Sequence, residues 1–98
     1  MKLQAIPGQR VLIKDALLER CSNYQGTFRD IERTIYRYLF RSPSGVIVYS
    51  GNRLEIELGQ IVDLRATVKR FEYSYGEMMR ISRPKIVENY ARKSDDFS

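Results

Sequence analysis

Ile61-Val-Asp-Leu-Arg-Ala-Thr-Val-Lys69 decides the fold class. Val62, Leu64, Ala66 and Val68 fall on one side of an extended chain, and Asp63, Arg65, Thr67 and Lys69 fall on the other. Successive side chains of a strand point to opposite faces, so this is the period of a half-buried strand, and it runs on to Tyr73. Ser74-Tyr-Gly76 then turns the chain, and Met78 to Ser82 returns as the partner strand. Pro84 has no N–H to give to a ladder, which places it at an edge or a strand end.

Upstream, Thr34-Ile-Tyr-Arg-Tyr-Leu-Phe-Arg41 is dense in β-branched and aromatic residues. Ser42-Pro-Ser-Gly45 is a turn, with Pro43 presetting φ, and Val46-Ile-Val-Tyr49 completes a hairpin. Ser50-Gly-Asn52 and Gly59 punctuate the next connection. The first third fits two readings. Gly8 to Ser22 reads as one long strand, or as helix from the spacing of Ile13, Leu17, Leu18 and Cys21 behind Asp15. Thr27 to Arg41 has a helical rival too, with Phe28, Ile31, Ile35 and Tyr38 on one face and Thr27 as a cap. The strand content and the Pro43 turn favour strand from about Arg33, with any helix confined to a short turn before it.

The expected order is strand, loop, hairpin, loop, hairpin. Five strands need their edges closed or covered, and a small all-β Greek-key barrel of OB type does so economically. It would span residues 1–88, with 89–98 as a short polar tail. A chain of 98 residues supports one core of this kind.

The chemistry is bounded by what is scarce. There is no histidine and one cysteine, Cys21. That leaves no His-based acid–base pair, no Cys/His nucleophile, no ordinary zinc site and no intrachain disulfide. No phosphate-binding glycine loop is present, so no cofactor and no enzymatic activity are expected. No apolar run approaches the roughly 20 residues that span a bilayer, and Met1 to Arg10 lacks a signal-peptide core, so an intracellular, cytoplasmic setting is expected. The net charge is +5, and Asn89 to Ser98 contributes nothing to it because Arg92 and Lys93 cancel Asp95 and Asp96. That balance favours anionic partners, nucleic acid first.

Gly59-Gln-Ile-Val-Asp-Leu-Arg-Ala-Thr-Val-Lys69, Glu72-Tyr-Ser-Tyr-Gly76 and Ile81-Ser-Arg-Pro-Lys-Ile-Val87 together resemble the C-terminal hairpin of OB-like domains in phage and plasmid replication-associated proteins. The likeness covers about Thr34 to Val87. The chain departs from it at Met78 and Met79, where a polar pair is usual, and at Tyr49, where tryptophan is common. The resemblance implies a replication accessory that binds single-stranded DNA or RNA.

Single-strand binding needs cations along the phosphates and flat side chains for stacking. Lys69, Arg70, Arg80, Arg83 and Lys85 cluster on the last hairpin, with Tyr73 and Tyr75 at its tip. Tyr24 is expected in the loop between the first two strands, and Arg37 and Arg41 share one strand face. Tyr36, Tyr38 and Phe40 share the other face and read as barrel core. The plainer reading of Lys69, Arg70 and Arg80 is a solvated face, and Arg83 has Asp63 as a candidate ionic partner. Met78 and Met79 read as packing fillers. Lys93-Ser-Asp-Asp-Phe-Ser98 weakly resembles the acidic tails of single-strand-binding proteins, which recruit protein partners. The competing expectation is an OB-like adaptor or anti-defence protein whose partner is a nucleoprotein complex.

Overall fold

The computed structural model describes residues 6–73 and 76–93, with side chains described up to Val87. These residues form five strands and no helix: β1 (Arg10–Phe28), β2 (Ile31–Ser42), β3 (Gly45–Gly51), β4 (Gln60–Glu72) and β5 (Met78–Lys93). The strands hydrogen-bond in one closed ring, in the order β1-β2-β3-β5-β4. Neighbours run antiparallel except β3 and β5, which pair in parallel from Val46 opposite Met78 to Tyr49 opposite Ile81. Closure removes the open edges that five separate strands would expose.

The interior is built by alternation. Val62, Leu64, Ala66 and Val68 are all buried, as the period of β4 requires. Tyr38 and Phe40 of β2 meet Ile47 and Tyr49 of β3 and Met79 and Ile81 of β5 in the same cluster, with Tyr36 half-buried against it. The Tyr38 ring lies 6.4 Å from that of Phe40 and 6.1 Å from that of Tyr49, both in stacked orientation. Each fully buried side chain of this size contributes about 1.5–3 kcal/mol.

The connection over residues 52–59 closes one end of the ring. Leu54 and Ile56 pack on the core, and two buried tyrosines hold their backbone. The Leu54 N–H donates to the Tyr38 hydroxyl oxygen at 2.9 Å, and the Asn52 N–H donates to that of Tyr49 at 3.0 Å. Gly51 makes the second bond possible, because a Cβ there would sit 2.6 Å from the Tyr49 hydroxyl oxygen.

One open alternative closes and two sequence expectations change. First, the strand reading holds for the first third: among the described residues it has no helix, and Arg10 to Phe28 is one strand. The spacing that looked helical comes from β-bulges. Asp15 takes φ 56° where the β1–β4 register shifts between Ile13 and Ala16, so both of those side chains point inward although three residues apart. Second, β2 begins at Ile31, not near Arg33, and β1 and β2 are a hairpin joined by the two residues Arg29 and Asp30. Both have positive φ, 53° and 64°, the geometry of a type I′ turn, made here without glycine or asparagine. Third, Asp63 is buried instead of solvated, and its Oδ1 accepts the Asp15 N–H at 3.0 Å, which anchors the bulge.

Pro84 follows Arg83, which has φ 49°, at a register irregularity of the β4–β5 ladder. β3 covers β5 only from Met78 to Ile81, so the other side of Pro84 has no ladder to break. The Arg10 guanidinium ties this irregularity down, donating to Thr67 Oγ1 at 3.1 Å and to the carbonyls of Arg83 at 2.8 Å and Arg65 at 3.3 Å.

Candidate nucleic-acid interface

The outward face of β1, β2 and β3 follows from the inward one. With Tyr38 and Phe40 inside, Arg37, Leu39 and Arg41 must point out, and with Ile47 and Tyr49 inside, so must Val48. A second irregularity in β1, between Leu18 and Arg20, brings Arg20 opposite Leu39. Leu39 in turn lies opposite Val48, and Val48 opposite Arg80, which faces Arg70 on β4. One row around the outside thus reads Arg20, Leu39, Val48, Arg80, Arg70.

An open groove of about 540 Å³ lies along the β1–β2–β3 part of this row. Leu39, Val48 and Leu58 supply its apolar lining, and Glu19, Arg20, Cys21, Ser22, Arg37 and Tyr38 the rest. Among the described residues no hydrogen bond or ion pair engages the guanidinium of Arg20 or of Arg37. Two unspent cations beside an apolar lining is a composition suited to an anionic ligand with flat hydrophobic parts.

The same face continues beyond the ring. β1 pairs with β4 only as far as Leu17, and β2 pairs with β3 only from Tyr36, so Asn23 to Ile35 is a two-stranded ribbon. Ser22 lies opposite Arg37, Tyr24 opposite Ile35, Gly26 opposite Arg33 and Phe28 opposite Ile31. Residues two apart share a face, so Tyr24, Phe28, Ile31, Ile35 and Arg33 are on the groove side. Tyr24, Phe28 and Ile31 are 48%, 57% and 65% exposed, a concentration of uncovered apolar surface. Gly26 lets the Ile35 side chain lie across the ribbon, since a Cβ there would collide with Ile35 Cδ1. The Arg29 guanidinium sits 5.2 Å from the Phe28 ring centre, within cation–π range. Arg33 Nη2 donates to Asn52 Oδ1 at 3.1 Å and so remains a charge with a neutral partner.

The sequence candidates divide among these surfaces. Arg37 lines the groove. Tyr24 is within β1 on the ribbon, not in a loop. Arg41 is on the groove-side face but paired, its Nε donating to Glu19 Oε2 at 2.8 Å; this bond raises its already high pKa. Arg70 and Arg80 both bind Glu72, through Arg70 Nε at 2.8 Å and Arg80 Nε at 3.0 Å to Oε2, with Arg80 Nη2 at 3.3 Å from Oε1. Hydrogen bonds from Arg80 first, then Arg70, hold the Glu72 carboxyl down at about 2. Lys69 is exposed at the register irregularity between Val68 and Arg70, and Tyr73 is 65% exposed just past β4. Arg83 and Lys85 are exposed further along β5, where Lys85 faces Arg65 and not the groove row. Tyr75 and residues 94–98 of the tail lie outside the described residues.

Arg20, Leu39, Val48 and Leu58 were not singled out from the sequence. Alternation from Tyr38 and Phe40 was enough to find Leu39. Arg20 needed the β1 irregularity, which no residue type announces. Among the described residues no three carboxylate or cysteine groups converge as a metal site, and no helix is long and apolar enough to cross a membrane. Comparison with protein-family models, with characterised proteins and with solved structures finds no match to this chain.

Proposed function

We propose that this chain binds single-stranded nucleic acid without catalysis, through the β1–β2–β3 groove and the ribbon face that continues it. The observation that carries this reading is the pairing of free guanidinium groups, Arg20 and Arg37, with an apolar groove lining and with exposed Tyr24 and Phe28 on the same face. Cations meet phosphates, and ring faces stack on bases of any sequence. The β4-β1-β2-β3 part of the ring has its fourth strand beside the first, which supports a Greek-key barrel of OB type. In such barrels the loops joining strands one and two, and four and five, grip oligonucleotides. Here those positions are the ribbon and the Tyr73 end of β4. The net charge of +5 agrees with an anionic partner.

A second reading, a protein-binding adaptor, is favoured by the exposure of Phe28 and Ile31, which suits a protein surface as well as a base. Fluorescence anisotropy with a labelled oligo-dT separates the two. Arg20→Ala combined with Arg37→Ala should lower the steepness of log K against log salt by about 1.4, from about 0.7 per lost phosphate contact. Tyr24→Ala should cost about 1–3 kcal/mol of binding and leave the melting temperature nearly unchanged. Parental affinity and salt dependence in these variants would assign the face to a protein partner.

A further inference from the structure

Arg70 and Arg80 are direct cross-strand partners on the outside of the ring. Like charges so placed repel, so the pair needs an anion between them. Glu72 supplies it, bridging both guanidinium groups through Oε2 and taking a second bond from Arg80 through Oε1. Arginine recognises carboxylate and phosphate with the same planar, two-pronged geometry. Arg80 is also the register neighbour of Val48, which lines the groove. The bridged pair therefore lies across β3 from the groove, Arg80 one strand beyond Val48 and Arg70 one further.

We infer that Glu72 is an internal stand-in for a backbone phosphate, occupying a second anion site of Arg70 and Arg80 that a bound strand takes over. The inference rests on the single-strand-binding reading and adds to it how the interface is restrained. The Arg70 half of the bridge is the looser one: Arg70 is 59% exposed and makes one bond to Glu72, so water screens it, whereas Arg80 is 20% exposed and makes two. The carboxylate is ionised near neutral pH, as any glutamate is. Its competition is thus governed by the charge density of the ligand. A strand already held at Arg20 and Arg37 presents its next phosphates at high local concentration, whereas a free monovalent anion does not. Glu72 acts as a brake on affinity, and the strand gains these contacts only in exchange for it.

The test is anisotropy of a labelled oligo-dT at several salt concentrations, with parent, Glu72→Gln, Glu55→Gln, and Glu72→Gln combined with Arg80→Ala. Glu55 is an exposed acid in the 52–59 connection, so its substitution controls for formal charge. Glu72→Gln should bind about fivefold tighter at 0.1 M salt for each guanidinium freed, with a slope steeper by about 0.7 per contact. Glu55→Gln should change affinity less than about twofold by screened charge alone. Adding Arg80→Ala leaves only Arg70 freed and should cut the gain from about 25-fold to about fivefold. Should Glu72→Gln not be folded by its melting curve, Glu72→Asp, with its carboxylate drawn back, should show a smaller gain in the same direction. A parent that binds, with no gain in Glu72→Gln beyond that of Glu55→Gln, overturns this inference and leaves the binding reading standing. No binding by the parent but binding by Glu72→Gln supports it. No binding by either overturns both.

Discussion

Tyr38 carries two separable jobs, and substituting it in two steps measures each. Tyr38→Phe deletes the acceptor of the Leu54 N–H and leaves the ring in place. A typical hydrogen bond contributes about 0.5–1.5 kcal/mol net, and a half-buried amide that regains some water keeps the loss near 1 kcal/mol. For a domain of this size that is a fall in melting temperature of about 4–8 °C. Tyr38→Ala also removes a ring that is 5% exposed and stacked between Phe40 and Tyr49. Such truncations cost about 3–5 kcal/mol. Tyr49→Phe should resemble Tyr38→Phe, because its hydroxyl accepts the Asn52 N–H, two residues before Leu54 in the same connection. The double variant should deviate from additivity by about 0.5 kcal/mol or more, as groups sharing one element do. Urea unfolding gives the energies, and hydrogen exchange at the Leu54 amide reports the connection directly. Unchanged exchange at Leu54 in Tyr38→Phe, or a Tyr38→Ala loss below about 1 kcal/mol, would refute this account of how the ring is closed.

Three further outcomes follow from single contacts. Because the Glu72 pKa is depressed to about 2, its bridge stabilises the fold above the ordinary glutamate range and is lost as pH falls from there through about 2. The stability difference between parent and Glu72→Gln should therefore shrink in acid over that window; a constant difference in pH-dependent urea melts would contradict the bridge. Arg29→Asn with Asp30→Gly supplies the residues that take left-handed backbone at least cost and should raise stability by about 1 kcal/mol, read as a higher melting temperature. A lower one would mean the turn is not of this type. Asp63→Ala removes the acceptor that holds the Asp15 bulge and should cost about 1–3 kcal/mol in urea unfolding; a loss below about 0.5 kcal/mol would place the anchor elsewhere.

What the sequence made legible depended on whether alternation ran unbroken. Val62 to Val68 does so, and Tyr38 and Phe40 against Ile47 and Tyr49 across a Pro–Gly turn do so; these set the hairpins and much of the core. β1 resisted reading because two irregularities interrupt its period. Ile13, Ala16 and Leu18 are all buried at spacings of three and two, a pattern intermediate between helix and strand. The β1–β2 turn was hidden because Arg29 and Asp30 adopt left-handed backbone without the glycine or asparagine that usually signals it. The candidate site suffered from the same cause. Arg37 and Arg41 were correctly given one face, but Arg20 joins the groove only through the β1 irregularity. Composition could not show that Arg70 and Arg80 share Glu72 or that Arg41 pairs with Glu19, since ion pairing depends on register and not on residue count.

The most direct test of single-strand binding is the salt dependence of parental affinity for oligo-dT, measured beside duplex DNA of equal length. With Arg20, Arg37 and one or two further cations on phosphate, log K should fall against log salt with a slope of about −2 to −3, and the single strand should bind more tightly than the duplex. A flat slope, or duplex bound as well as single strand, would contradict the account.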